Sequence, residues 1–264
     1  MRTSRRRPCA VSLANQKGGV GKTTTTINLA AALAESGHIV MVIDLDPQGH
    51  LTEGLGVLDD TPRPEVTLPD ILFGDAPAEL IMETVMEVHG LLLVPATDDL
   101  YYAEMRLSQL PARERRLARA LEAIPDNTVD FVLIDNQPAL SALSSNGLLA
   151  SDLLLPILQG RGASLRALQI LTDQVTALAE AYGSRPRVIG TVMNEVNSRT
   201  GSTTRVKESL REAGIPILAT VPIRTKLTDA WDAGKTLIRF DPASDVLHIY
   251  KDLAAHVAAE GDKA

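Results

Sequence analysis

The chain has 264 residues, enough for one sizeable domain and too few for two comfortable ones, and its 45% apolar and 22% charged residues are globular proportions. Aromatic residues make up only 3%, which argues against a base-stacking or carbohydrate-stacking surface, and a net charge of −7 confines any nucleic-acid binding to a local patch. The single cysteine, Cys9, excludes an intrachain disulfide and any CxxC metal or iron–sulfur set within one chain.

The opening "MRTSRRRP" is basic but no long apolar run follows it, so neither a signal peptide nor a membrane anchor is expected, and residues 1–8 read as a flexible tail. Apolar runs without strict alternation recur at 10–15, 39–45, 91–96, 131–135, 153–158, 187–193 and 216–222, as strands covered on both faces produce. Helical patterns lie between them at 23–37, which closes on Gly37, at 113–124 and at 164–183. Residues 56–80, interrupted by Pro62, Pro64, Pro69 and Pro77, read as an irregular excursion with one short helix. The alternation predicts one α/β domain over 9–258, doubly wound around a mostly parallel sheet, with 259–264 as a frayed tail.

The stretch "NQKGGVGKTTTT", residues 15–26, joins the first strand to the first helix. The template GxxxxGK[ST] would need glycine at position 16, which holds Gln16, so this is a deviant P-loop. Gly18, Gly19 and Gly21 permit positive φ and close backbone approach, which lets N–H groups along Gly18–Val20–Gly21 aim at phosphate oxygens. The helix starting near Lys22 adds its positive end. Lys22 would sit against the β and γ phosphates, the Thr23 hydroxyl would ligate Mg²⁺, and Thr24 is placed for the α phosphate. Asp44 and Asp46 end the second apolar run and Asp135 ends the fourth, at the strand ends where open α/β sheets bind ligands. One such carboxylate can hold Mg²⁺ through its waters and another can orient an attacking water. Lys17 is surplus to a phosphate cradle. The residues alone leave it as a solvated lysine or a further part of the same cradle.

Together "NQKGGVGKTTTTINLAAALAESG", "VIDLDPQGHLTEGLG" and "FVLIDNQPAL" resemble the ParA branch of the MinD/ParA ATPases, which carry a deviant Walker A motif. "GTVMNEVNSRT", "VPIRTKLTDAWDAGKTLIRFDPAS" and "IYKDLAAHV" follow in the expected order and extend the resemblance over nearly the whole chain. It implies a P-loop ATPase of weak intrinsic activity, with ATP and Mg²⁺ as ligands. It further implies an ATP-dependent sandwich homodimer that binds double-stranded DNA without sequence preference. Release would follow hydrolysis stimulated by a ParB-like partner, in a cytoplasmic protein that is nucleoid-associated when ATP-bound. Within the resemblance Lys17 matches a lysine that reaches across the dimer to the other subunit's phosphates, acting as a cation in trans. Lys22 matches the P-loop lysine, Thr23 the Mg²⁺ ligand, and Asp46 the residue that positions the hydrolytic water. Asp44 and Asp135 support the metal shell, and Asn194 and the backbone following Pro222 lie in the region that contacts adenine. Two departures stand out. Asp135-Asn136-Gln137-Pro138 has Gln137 where the family has the first of two prolines, in a switch loop that responds to the γ phosphate. "LQGRGAS" lacks an acidic residue often found there.

Between residues 199 and 239 eight basic residues stand against four acidic ones. Arg199, Arg205, Lys207, Arg224 and Lys226 are the candidate contacts to DNA phosphates, an ordinary solvated helix face being the alternative. The resemblance places Arg199 and Lys226 where related proteins carry DNA-contacting arginines, and no room is left at the N-terminus for an added helix-turn-helix. A MinD-like role at membranes would need a basic amphipathic C-terminal helix, and "LAAHVAAEGDKA" offers only Lys263. A metabolic P-loop enzyme of the dethiobiotin or cobyrinate synthetase kind would bind no DNA, and such enzymes generally do not combine the extra lysine with "DPQG".

Overall fold

Every apolar run becomes β-structure. In the computed structural model, which describes residues 7–183, 186–196 and 201–263, the strands are β1 (Cys9–Ala14), β2 (Val40–Leu45), β3 (Met86–Val88), β4 (Leu91–Val94), β5 (Phe131–Asn136), β6 (Leu153–Gln159), β7 (Arg187–Val188), β8 (Thr191–Val196) and β9 (Ile217–Pro222). Among the described residues they form one sheet in the order β3-β4-β2-β5-β1-β6-β8-β9, with β7 paired to β6. All pairs are parallel except β3 with β4. The doubly wound reading holds.

Strict period-two alternation sorts β2 and β5 between two cores. Val40 and Val42 face one apolar cluster and Met41, Ile43 and Leu45 the other; Phe131 and Leu133 part from Val132 and Ile134 in the same way. Since both faces are apolar, the strands lack the polar alternation of a one-sided sheet. The first cluster packs under the helices Lys22–Glu35 and Leu247–Gly261, and the second under a group that includes Leu68–Phe73 and Ala142–Leu149. Asp44 and Asp135 are direct register partners on β2 and β5. Both keep the parity of Val42 and Leu133, so both point toward the helix Lys22–Glu35. The chain leaves β1 to one side for β2 and returns on the other for β6, so β1 sits at the reversal of strand order where such sheets bind ligands.

Four readings are corrected. The run 187–193 is two strands, not one, broken at Ile189–Gly190, where Gly190 has φ 143 and an added Cβ would lie 2.7 Å from Leu218 Cγ. The helical run 113–124 starts as a 3₁₀ turn, Arg113–Arg115, before the α-helix Arg116–Glu122. The last helix runs to Gly261, past the start of the tail read as frayed, and Glu260 there binds Arg187 and Lys263. At the other end Arg7 pairs with Asp152 at 3.0 Å and Pro8 is buried, so the tail read as flexible is anchored by position 7. Among the described residues no helix is long and apolar enough to cross a membrane.

Candidate nucleotide site

The loop after β1 is held from below by two side-chain amides. Gln159, ending β6, and Asn194, on β8, are register partners. Gln159 Nε2 donates to the Gly19 carbonyl and Asn194 Nδ2 to the Val20 carbonyl, each at 3.0 Å. A carbonyl drawn inward turns the next residue's N–H outward, because the two are antiparallel across the planar peptide. Val20 and Gly21 therefore present their N–H groups to the outer side, as an anion cradle needs. Gly19 and Gly21 take φ of 68 and 88, and a Cβ at Gly21 would sit 1.7 Å from Asn194 Nδ2. Only glycine fits there. Gly21 is also the N-cap of helix Lys22–Glu35 and brings no side chain to bond the first N–H groups, which leaves that positive end for a ligand.

Lys22 is only 7% exposed. Burial pulls its ammonium below the usual lysine range, and the charges of Asp135 and Asp46 act the other way. Thr23 Oγ1 donates to Asp135 Oδ2 at 2.6 Å and Thr26 Oγ1 to Asp135 Oδ1 at 3.2 Å, so the first helical turn and the end of β5 are tied directly. Thr24 lies half-buried beside Thr23. Asp44 is spent structurally: its Oδ2 accepts the Thr52 N–H and hydroxyl at 2.9 and 2.6 Å, and its Oδ1 the Asp46 N–H at 3.3 Å. These bonds tie Asp44 to the turn that carries Asp46. Asp46 in turn accepts the Gln48 N–H at 3.0 Å and stays half-exposed.

Burial, and the neighbouring Asp135 charge, push the Asp44 carboxyl up to about 7. Burial likewise pushes Asp135 up to about 6, with Thr23 and Lys22 opposing. Two buried, mutually repelling carboxylates with one lysine between them and Asp46 are an electrostatic deficit that a divalent cation relieves. Among the described residues no three His, Cys, Asp or Glu side chains converge on a metal. Mg²⁺ keeps several waters and takes oxygens from phosphate, so it needs few protein ligands. The residues fit: Thr23, with Asp135 behind it, would hold the ion, whose role is to neutralise phosphate charge. A separate cleft of about 730 Å³ beyond the 47–52 turn is lined by Gln48, Glu53, Asp59, Asp60, Arg63 and Asp98. Its negative lining makes it a poor host for phosphates, and the cradle remains the candidate nucleotide site.

Lys17 stands at the entry to the loop, its carbonyl 3.5 Å from Lys22 Nζ. Its Nζ reaches Gln159 Oε1 at 3.3 Å while its N–H is fixed by Asn15 Oδ1 at 2.8 Å. Asn194, placed by resemblance in the region that contacts adenine, donates its amide nitrogen to the Val20 carbonyl. Pro222 ends β9 opposite Val196, at the same sheet end. Gln159 was missed in the sequence, where its segment drew notice only for lacking an acid. A polar residue closing an apolar strand run is the signal that could have found it.

A protein-family description, "AAA domain", matches residues 9–187. The chromosome-partitioning ATPase Soj of Thermus thermophilus is 37% identical over 256 residues, covering 96% of this chain and 97% of that one. This chain belongs to the ParA/Soj family. The chromosome partitioning protein ParA of Caulobacter vibrioides agrees, at 36% identity over 251 residues, 94% of this ParA-family chain and 92% of its relative. Among solved structures, cobyrinic acid a,c-diamide synthase from Mycobacterium smegmatis, with bound ADP and magnesium, matches at 29% identity and TM-score 0.78 over 94% of this chain and 93% of that one.

The basic patch of this ParA-family chain is weaker than its sequence window implied. Arg224 makes a two-oxygen contact with Asp245, at 2.8 Å for the closest pair, and Lys226 pairs with Asp241. Both carboxylates lie just past residue 239, where the window ended. Arg205 is exposed and Lys207 half-buried on helix Gly201–Glu212. Arg199 lies outside the described residues.

Proposed function

We propose that this chain is an ATP-switched partition ATPase: Mg²⁺-ATP bound in the cradle favours a sandwich homodimer, the dimer binds double-stranded DNA without sequence preference, and hydrolysis stimulated by a ParB-like partner ends the DNA-bound state. Near-full-length identity to relatives named as chromosome-partitioning proteins carries this reading. In it Lys22 holds the β and γ phosphates, Thr23 the metal, and Asp46 orients the attacking water, steered by Asp44 beneath its turn. Lys17 supplies a cation to the other subunit's ATP. Arg205 and Lys207 contribute to the DNA face directly, whereas Arg224 and Lys226 do so only after exchanging Asp245 and Asp241 for phosphate.

The likeness to cobyrinic acid a,c-diamide synthase supports a second reading, in which ATP activates a carboxylate substrate and no DNA binds. A fluorescence-anisotropy titration of a random-sequence DNA duplex separates the two. The partition reading expects binding with ATP and not with ADP, with log affinity falling linearly in log salt. Equal affinity in both nucleotides sinks it, and ATP turnover that depends on cobyrinic acid establishes the rival.

A further inference from the structure

Gln137, where the family has proline, is one end of a hydrogen-bonded chain that finishes beside Lys17. Its Nε2 donates to Ser141 Oγ at 2.6 Å. Ser141 caps helix Ala142–Leu149: its Oγ also accepts the Ser144 N–H at 3.1 Å, and the Ser144 Oγ accepts the Ser141 N–H at 3.0 Å. From helix Ala163–Tyr182, Gln174 Nε2 donates to Ser144 Oγ at 3.3 Å, and Gln174 Oε1 accepts from Gln16 Nε2 at 2.7 Å. Gln16 is the residue before Lys17. The chain thus joins three elements that are distant in sequence, and a proline at 137, lacking a side-chain donor, could not begin it.

The ends of the switch loop are pinned. Asn136 Nδ2 donates to Ser12 Oγ at 2.7 Å and to the Leu13 carbonyl at 3.1 Å, and Ser141 is held in its capping box. Residues 137–140 span the gap, with Pro138 over the P-loop: a Cβ at Gly18 would meet Pro138 Cγ at 3.9 Å. Lys17 rests on Gln159 of its own chain, its Nζ 3.3 Å from Gln159 Oε1. A shift of the switch loop relayed to Gln16 acts on the backbone that carries Lys17.

We propose that Gln174 is a positioning residue that couples the switch loop to Lys17, so that the setting of the 137–140 loop biases whether Lys17 stays on Gln159 or is offered to a second subunit. This rests on the dimer reading of Lys17. Gln174 touches no phosphate in that reading and acts through Gln16 alone. A contiguous set of bonds is not itself coupling, which a double-mutant cycle measures.

Sedimentation velocity over a range of protein concentration gives the dimerisation midpoint in a non-hydrolysable ATP analogue and in ADP. Four chains are compared: wild type, Gln174→Leu, Gln137→Pro and the double variant. Each single variant is expected to lower the preference for the dimer in the ATP analogue over ADP by about fivefold or more. The double variant should lose no more than the larger single loss, since both break one chain, and the affinity for fluorescent ADP should stay within about twofold of wild type. Single variants that keep the wild-type preference overturn the proposal, as do losses that multiply in the double variant. A parallel fall in ADP affinity also overturns it, because it marks general damage to the loop. A wild type that forms no dimer with the ATP analogue is a different failure: it removes the dimer reading, and this proposal with it.

Discussion

Lys22→Ala should lower the affinity for Mg²⁺-ATP by about 10²–10³-fold, the cost of truncating one partner of a buried, hydrogen-bonded charge pair. Lys22 is 7% exposed, and its charge opposes those of Asp135 and Asp46 at the loop. Alanine leaves those carboxylates facing incoming phosphates with nothing between them. The fold should survive, because the substitution also removes a desolvated charge, and an ammonium held below its usual range gains nothing from burial. Isothermal titration with ATP and a thermal melt of the same sample check both halves. A dissociation constant within tenfold of wild type contradicts the assignment of Lys22.

Asp135→Asn should have effects of opposite sign on stability and on binding. A folded-state carboxyl near 6, against about 4 in an unfolded chain, binds its proton more tightly when folded. Its stabilising contribution is therefore complete at low pH and is lost as pH rises from about 4 to about 6; Asp44, near 7, extends the decline to about pH 7. Asparagine removes the share of Asp135, at most about 3 kcal/mol, and loses part of the bonding to Thr23 and Thr26. Without nucleotide or metal the variant should melt about 2–6 °C higher at pH 8 and show no such gain at pH 4. Its Mg²⁺-dependent gain in ATP affinity should shrink by about 10–100-fold, the usual consequence of altering a group that orients a metal ligand. A variant that is less stable at pH 8, or that keeps its Mg²⁺ response, rules this out.

Charge and burial also explain which parts of the molecule could be read before its structure. β1, β2 and β5 were legible because they are buried on both faces and their sequences are unbroken apolar runs that end in Asp44 and Asp135. The P-loop was legible because its glycines have no substitute: the φ values at 19 and 21 and the approach of Asn194 exclude a side chain. β3 was not, since "MEV" is two half-buried residues flanking an exposed Glu87, stabilised by antiparallel pairing with β4, a tertiary contact without a local signal. The break in 187–193 depends on Leu218, well along the chain, closing on Gly190. Charge counting failed for Arg224 and Lys226 for a related reason. A sequence window adds charges, whereas a surface pairs them, and Asp241 and Asp245 fold back onto the patch. The amide clamp under the P-loop was hidden because Gln159 and Asn194 are 35 positions apart in sequence and adjacent only across β6 and β8.

In the proposed cycle nucleotide controls assembly through Lys17. Sedimentation velocity of wild type and Lys17→Ala with ATP under non-hydrolysing conditions tests it most directly. Wild type should move from its 28.3 kDa monomer to a dimer with ATP and remain a monomer with ADP. Lys17→Ala should bind ATP as tightly in its own cradle, because its Nζ rests on Gln159, yet remain monomeric. A Lys17→Ala chain that dimerises with ATP as readily as wild type, or a wild type that never dimerises, contradicts the claim.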